Sequence, residues 1–139
     1  MISGHVIVDT GVLVAMLNKK DQWHGWAVDC SKRLPAPWST CEAVLSETFY
    51  LLAGVPRGTE MLVKLIGIPG LLSFPFGFPL RASEVLRAII KYRDLPASFA
   101  DACLVQLASD TPGGLVWTTD SDFQTYRLPG KKNIPTLQP

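Results

Sequence analysis

The sequence has no long apolar run. None of its apolar stretches reaches the roughly 18 to 20 residues that a membrane-spanning helix needs. The first residues, MISGHVIVD, also lack the basic segment that precedes the apolar core of a secretory signal peptide. We therefore expect a cytoplasmic protein with no membrane segment.

Charge, histidine and cysteine are all scarce. The 13 Lys and Arg residues nearly match the 12 Asp and Glu residues, and the net charge of +1 argues against a protein that holds nucleic acid by a globally basic surface. The two histidines, His5 and His24, form no cluster that could bind a metal. The three cysteines, Cys30, Cys41 and Cys103, have no metal-binding spacing, so we predict buried free thiols in a reducing cytoplasm.

Apolar residues are abundant, at 47% of 139 residues, and this is enough for the core of one domain over residues 1–139. Short apolar segments predict strands at residues 6–9, 38–39, 71–74, 115–118 and 134–136. Helical spacing predicts helices at residues 11–18, 21–34, 42–53, 57–66, 80–93, 98–109 and 120–126. The alternation predicts an α/β fold with a mainly parallel sheet between helical layers. Ser39 and Glu42 have capping-box spacing, which predicts Ser39 at the start of the third helix.

Four acids lie where such a fold could direct them into one crevice. Asp9 and Asp120 follow predicted strands, and the crevice of a parallel sheet lies beyond the carboxyl ends of its strands. Glu47 lies in a helix that is apolar nearly all round, and Asp101 heads the apolar face of a later helix. Two such charges about 4 Å apart repel by about 4 kcal/mol at a dielectric near 20, so a cation is needed. Oxygen ligands without sulfur or imidazole suit Mg²⁺ or Mn²⁺, the usual ions of phosphodiester hydrolysis.

Each acid also has a purely structural interpretation. Glu47 could form a salt bridge to an Arg or lie in an exposed stripe. Ser98 and Asp101 have the spacing of a capping box. Asp120 could cap the short helix that follows it, and Asp122 could complement the dipole of that helix.

The acidic motifs and their order resemble those of a known family. They are VIVDT at residues 6–10, SE at 46–47, FADACLVQLA at 99–108 and TTDSDF at 118–123. The set resembles PIN-domain ribonucleases, most closely the VapC-type toxins, over nearly the whole chain. The resemblance implies a three-layer α/β/α sandwich, Mg²⁺ or Mn²⁺ as cofactor, and cleavage of RNA that leaves a 5′-phosphate. It also implies a homodimer and a small antitoxin partner.

The resemblance further implies roles for particular residues. The residues implied to be catalytic and to bind metal are Asp9, Glu47, Asp101 and Asp120, with Asp122 as a further metal ligand. Thr10 and Thr118 are implied to orient the carboxylates with their hydroxyls, although each could instead satisfy nearby backbone. Residues 67–79 depart from the family in their richness in Pro, Gly and Phe, which is typical of a strand between two turns but could reshape a dimer contact or the substrate groove.

Other functions fit the sequence less well. Asp-Thr-Gly at residues 9–11 occurs in aspartic proteases, but the residues after it have helical spacing, where that fold requires a strand. A receiver-like domain requires a second acid before the first strand end and a lysine after a later strand, and neither is present. A PIN-like module that binds RNA or a protein without turnover remains the alternative. Arg127, Lys131 and Lys132 could contact phosphates or simply form a solvated surface.

Overall fold

The computed structural model describes residues 5–139, which form seven strands and six α-helices. The strands are β1 (Val6–Val8), β2 (Trp38–Ser39), β3 (Leu72–Ser73), β4 (Leu115–Trp117), β5 (Arg127–Leu128), β6 (Lys132–Asn133) and β7 (Thr136–Leu137). The helices are α1 (Thr10–Leu17), α2 (His24–Arg33), α3 (Glu42–Leu52), α4 (Gly58–Ile66), α5 (Phe78–Lys91) and α6 (Phe99–Ser109). Among these residues, no helix is both long and apolar enough to cross a membrane.

Five of the strands form one parallel sheet in the order β3-β2-β1-β4-β7. The central strand β1 pairs with β2 and β4, so that Val6 is level with Trp38 on one side and Leu115 on the other. Every residue of β1 is fully buried, as expected for a strand that helices cover on both faces. The predicted α/β fold with a central parallel sheet is confirmed.

A tryptophan cluster fills the core beside the central strands. Trp117 on β4 is fully buried, and Trp38 and Trp26 meet it in edge-on contacts with centroid distances of 5.1 and 6.5 Å. Such edge-on contacts stabilise beyond the buried area alone. The three cysteines are buried free thiols, as predicted.

The structure corrects several local predictions, among them the start of the second helix, which is His24 rather than residue 21. Ser39 does not cap α3, because it still belongs to β2 and its hydroxyl pairs with that of Ser73 at 3.2 Å; Cys41 occupies the cap position instead. Helix α5 begins two residues earlier than predicted, and the last strand is Thr136–Leu137 rather than residues 134–136. Strands β5 and β6 form an antiparallel hairpin that the sequence pattern did not predict.

Candidate active site

Asp9 is fixed at the carboxyl end of the central strand. Its backbone N–H donates to the carbonyl of Trp117 at 3.1 Å, which extends the pairing of β1 with β4 by one residue. Its Oδ1 accepts from the backbone N–H of Thr10 at 2.7 Å and so caps α1. Strand and helix meet at this single residue, which explains why a carboxylate separates two apolar segments. The side chain is only 4% exposed.

Thr118 connects two of the acids. Its hydroxyl donates to Oδ2 of Asp9 at 2.7 Å and accepts from the backbone N–H of Asp120 at 2.9 Å. Thr118 is fully buried at the end of β4, so this hydroxyl holds the ends of β1 and β4 in register. On the other side, the hydroxyl of Thr10 donates to Oε1 of Glu47 at 3.0 Å and ties the middle of α3 to the start of α1.

Asp101 and Asp120 each cap a helix and also contribute to the same cavity. Ser98 and Asp101 form a reciprocal capping box, with bonds of 3.0 and 3.1 Å at the start of α6. Asp120 accepts the backbone N–H of Asp122 at 2.9 Å and caps the 3-10 helix Ser121–Gln124. The structural interpretations therefore hold for both acids, and both residues also line the cavity.

The cavity at this edge of the sheet has a volume of about 260 Å³. It is lined by Asp9, Thr10, Gly11, Glu47, Ser98, Asp101, Thr119 and Asp120. The structure thus brings together four predicted acids from four separate elements, whereas Asp122 does not line the cavity. Sequence reasoning missed Gly11, Ser98 and Thr119 as lining residues. Gly11 carried no signal in the sequence, because the close approach of its backbone to the hydroxyl of Thr119, which leaves no room for a Cβ, arises only in the fold.

Burial and mutual repulsion raise the pKa of two of these acids. Burial raises the pKa of Asp9 to about 7; the hydrogen bond from Thr118 opposes this shift, and the charge of Asp101 adds to it. Burial likewise raises the pKa of Asp101, and the charges of Asp120 and Glu47 add to that effect. Within residues 5–139, none of the four carboxylates forms an ion pair with Lys or Arg, so their repulsion is not offset by the protein.

The donor chemistry fits a hard divalent cation. The polar side chains in the cavity are carboxylates and hydroxyls, without imidazole or thiol. In the described part of the chain, no three His, Cys, Asp or Glu side chains lie close enough together to hold one ion between them. Mg²⁺ does not require such a group, because it keeps several waters and is commonly held by one or two carboxylates together with substrate phosphates.

Comparison with known proteins identifies the family. The PIN domain family matches residues 6–128, and the chain belongs to that family. Among solved structures, the chain is similar to VapC20 of Mycobacterium tuberculosis, described as a sarcin-ricin-loop-cleaving toxin. The TM-score is 0.74 at 21% sequence identity, over 86% of this chain and 93% of that one, which establishes the shared fold. Comparison with curated proteins gave no match.

Proposed function

We propose that this PIN domain is a metal-dependent endoribonuclease that hydrolyses RNA phosphodiester bonds with Mg²⁺ or Mn²⁺. The observation that carries the proposal is the convergence of Asp9, Glu47, Asp101 and Asp120 on one cavity, with no Lys or Arg paired to them in the described residues. Such a site repels itself until a cation enters, and its oxygen donors favour a hard cation.

Asp9 and Asp101 would be the central ligands, and Glu47 and Asp120 would complete the site through water, because no three ligands among residues 5–139 lie close enough together to hold one ion directly. A divalent ion bound there lowers the pKa of a water molecule for attack on phosphorus and offsets charge on the departing oxygen. Asp122 does not line the cavity, so it would reach a bound ion only through water.

The residues around the acids hold them in place. Two donors, the Thr10 N–H and the Thr118 hydroxyl, fix one oxygen each of Asp9, so its carboxylate cannot rotate freely. The Thr10 hydroxyl fixes Glu47 in the same way. Both threonines therefore act as positioning residues, since supporting hydrogen bonds orient metal ligands.

We further propose that the chain acts in the cytoplasm as the toxin of a toxin–antitoxin pair, as a homodimer that a small antitoxin protein inhibits. The shared fold with VapC20 supports this, because that protein is described as a toxin. Exposed apolar side chains on three helices offer surfaces for such partners. They are Tyr50, Leu51, Val63, Leu80, Leu86 and Ile90.

The first test measures Mn²⁺ binding by calorimetry and cleavage of an RNA pool by gel. We compare wild type with Asp101→Asn and with Asp94→Asn, an exposed acid outside the cavity, as the matched control. Asp101→Asn should lower both binding and cleavage by about 100-fold or more, since even supporting residues of metal sites are worth about 10- to 100-fold. Circular dichroism checks that each variant is folded. Undiminished cleavage by Asp101→Asn would contradict the assigned role.

One observation favours a second candidate, a catalytically silent PIN-like module that binds RNA or a protein partner. Among residues 5–139, no three potential ligands lie close enough together to hold an ion as a group. Wild type that binds RNA but shows neither Mn²⁺ binding nor cleavage would identify the module. Cleavage that requires Mn²⁺ and is lost in Asp101→Asn would exclude it.

A further inference from the structure

A second cavity, of about 300 Å³, lies between α5, α6 and the β5–β6 hairpin. The charged side chains in its lining are Arg87, Lys91, Arg127, Lys131 and the single acid Glu84. Four cations against one acid is a strong local excess in a chain whose net charge is only +1. We call this the basic cavity. In the sequence, Arg127 and Lys131 form one group with Lys132. Lys132 does not line the cavity, and the other two cations of the cavity come from α5.

The protein itself does not neutralise these cations. In the part of the chain that the structure describes, none of the four forms an ion pair with a carboxylate. Arg87, Lys91 and Lys131 are exposed, and the ammonium of Lys91 lies 5.2 Å from the centre of the Tyr92 ring. Like charges around one cavity repel, so an anion that entered the cavity would be attracted by all of them.

The hairpin holds Arg127 in a defined position. The guanidinium of Arg127 donates to the carbonyls of Gln124 and Tyr126, and its backbone N–H donates to the hydroxyl of Tyr92 at 2.9 Å. Lys131 has a left-handed backbone with φ of 61°. This conformation is costly for most residues other than glycine.

One helix contributes residues to both the basic cavity and the acidic one. Helix α6 contributes Asp101 to the acidic cavity, and Val105 and Ser109 to the basic cavity. At 1.5 Å per residue, these positions lie about 6 and 12 Å from Asp101 along the helix axis. A stacked nucleic-acid strand advances about 3.4 Å per nucleotide, so the separation along the axis of α6 corresponds to about two to four nucleotides.

We propose that the basic cavity binds backbone phosphates of the RNA strand, two to four nucleotides from the bond that is cut. The inference rests on the proposed function and adds to it a separate site that holds substrate. The lining favours a polyanion over a protein partner, because the centres of protein interfaces are depleted in charged residues whereas phosphate contacts come mostly from Arg and Lys. Such contacts position the strand without reading its sequence.

The test measures binding of a fluorescein-labelled, single-stranded 20-nucleotide RNA by anisotropy, in EDTA so that no cleavage occurs. The test variant carries Arg87→Gln, Lys91→Gln and Lys131→Gln. The control neutralises Lys19, Lys20 and Lys32, exposed lysines that do not line either cavity. Because each phosphate contact on a single strand contributes about 0.7 to the salt slope, the test variant should lower that slope by about 2. Its affinity near 0.15 M salt should fall by about 10- to 100-fold, while the control should lose much less.

The outcomes separate this inference from the proposed function. A test variant that binds RNA as wild type does would overturn the inference and leave the nuclease proposal standing. A test variant that keeps its RNA affinity but no longer binds a poly-glutamate peptide would also overturn it, in favour of an acidic protein segment. Wild type that binds RNA through these residues yet cuts none when Mn²⁺ is supplied would support the phosphate-binding site but remove the proposed function, and with it the distance to a cut bond.

Discussion

Replacing Asp9 by Asn should make the metal-free protein more stable. In the wild type, burial and the neighbouring acid Asp101 oppose ionisation of Asp9 and raise its pKa from 3.8 to about 7. Asn has nearly the same shape, carries no charge and is as good a helix cap, so it keeps the bond to the Thr10 N–H. Its amide can donate to the Thr118 hydroxyl in place of the bond that the carboxylate accepted.

The sign and size of the effect follow from the proton balance. Between pH 4 and 7 the folded protein binds more protons at Asp9 than the unfolded chain, so wild-type stability falls as the pH rises through this interval. Above pH 7 Asp9 is ionised in both the folded and the unfolded protein, and the loss of stability is complete. A shift from 3.8 to about 7 corresponds to about 4 kcal/mol, and loss of the charge from the helix N-terminus offsets up to about 1 kcal/mol of the gain in the variant. We expect Asp9→Asn to be more stable by about 3 kcal/mol at pH 8.

Urea denaturation in EDTA at pH 4, 6 and 8 checks this, with Asp94→Asn as the control. The stability difference between Asp9→Asn and wild type should grow from near zero at pH 4 to its full value by pH 8. Saturating Mn²⁺ should reverse the order, because an ion that binds only the folded wild type stabilises it by mass action. A difference that does not vary with pH, or a variant that is less stable at pH 8 in EDTA, would refute the reasoning.

Three further substitutions test the surroundings of the site. Thr118→Val removes the hydroxyl that donates to Asp9, so it should lower the free energy of unfolding by about 1–3 kcal/mol in urea denaturation. It should also move the acid limb of the pH–rate profile to higher pH, and an unchanged profile would contradict this. Gly11→Ala displaces the Thr119 hydroxyl from the cavity, so it should lower cleavage while circular dichroism stays native; full activity would show that the position of the hydroxyl does not matter. Gly25→Ala meets nothing within 4 Å on a helix and should add about 0.5–1 kcal/mol of stability without changing cleavage.

Much of the fold could be predicted because apolar periodicity reports burial directly. Strand β1 is recognisable from three β-branched residues that end at Asp9, and α6 from a capping box at Ser98 followed by an apolar face. The position of acids at or shortly after the ends of buried strands also placed Asp9 and Asp120 at one edge of the sheet, where the structure has them. Their roles in binding metal and in catalysis stay predictions.

The remaining features of the fold and the site depend on contacts between residues far apart in the sequence, which no local sequence pattern predicts. The hydroxyl of Ser39 has a partner 34 residues away, so the strand continues where a local capping rule predicted a helix start. The β5–β6 hairpin has strands of only two residues without apolar alternation, so it lacks the pattern that identifies strands. The approach of Gly11 to Thr119 and the assembly of the basic cavity both depend on the tertiary fold.

The bond from Thr118 to Asp9 has a consequence for the chain during its synthesis. It joins residues 109 positions apart, so the site is incomplete until nearly the whole domain has left the ribosome. At about 5–20 residues per second, roughly 5–20 s pass between translation of the first acid and translation of its partner. A nascent or truncated chain therefore carries Asp9 without the strand that orients it. The nuclease that we propose would therefore stay incomplete until its own synthesis is nearly finished.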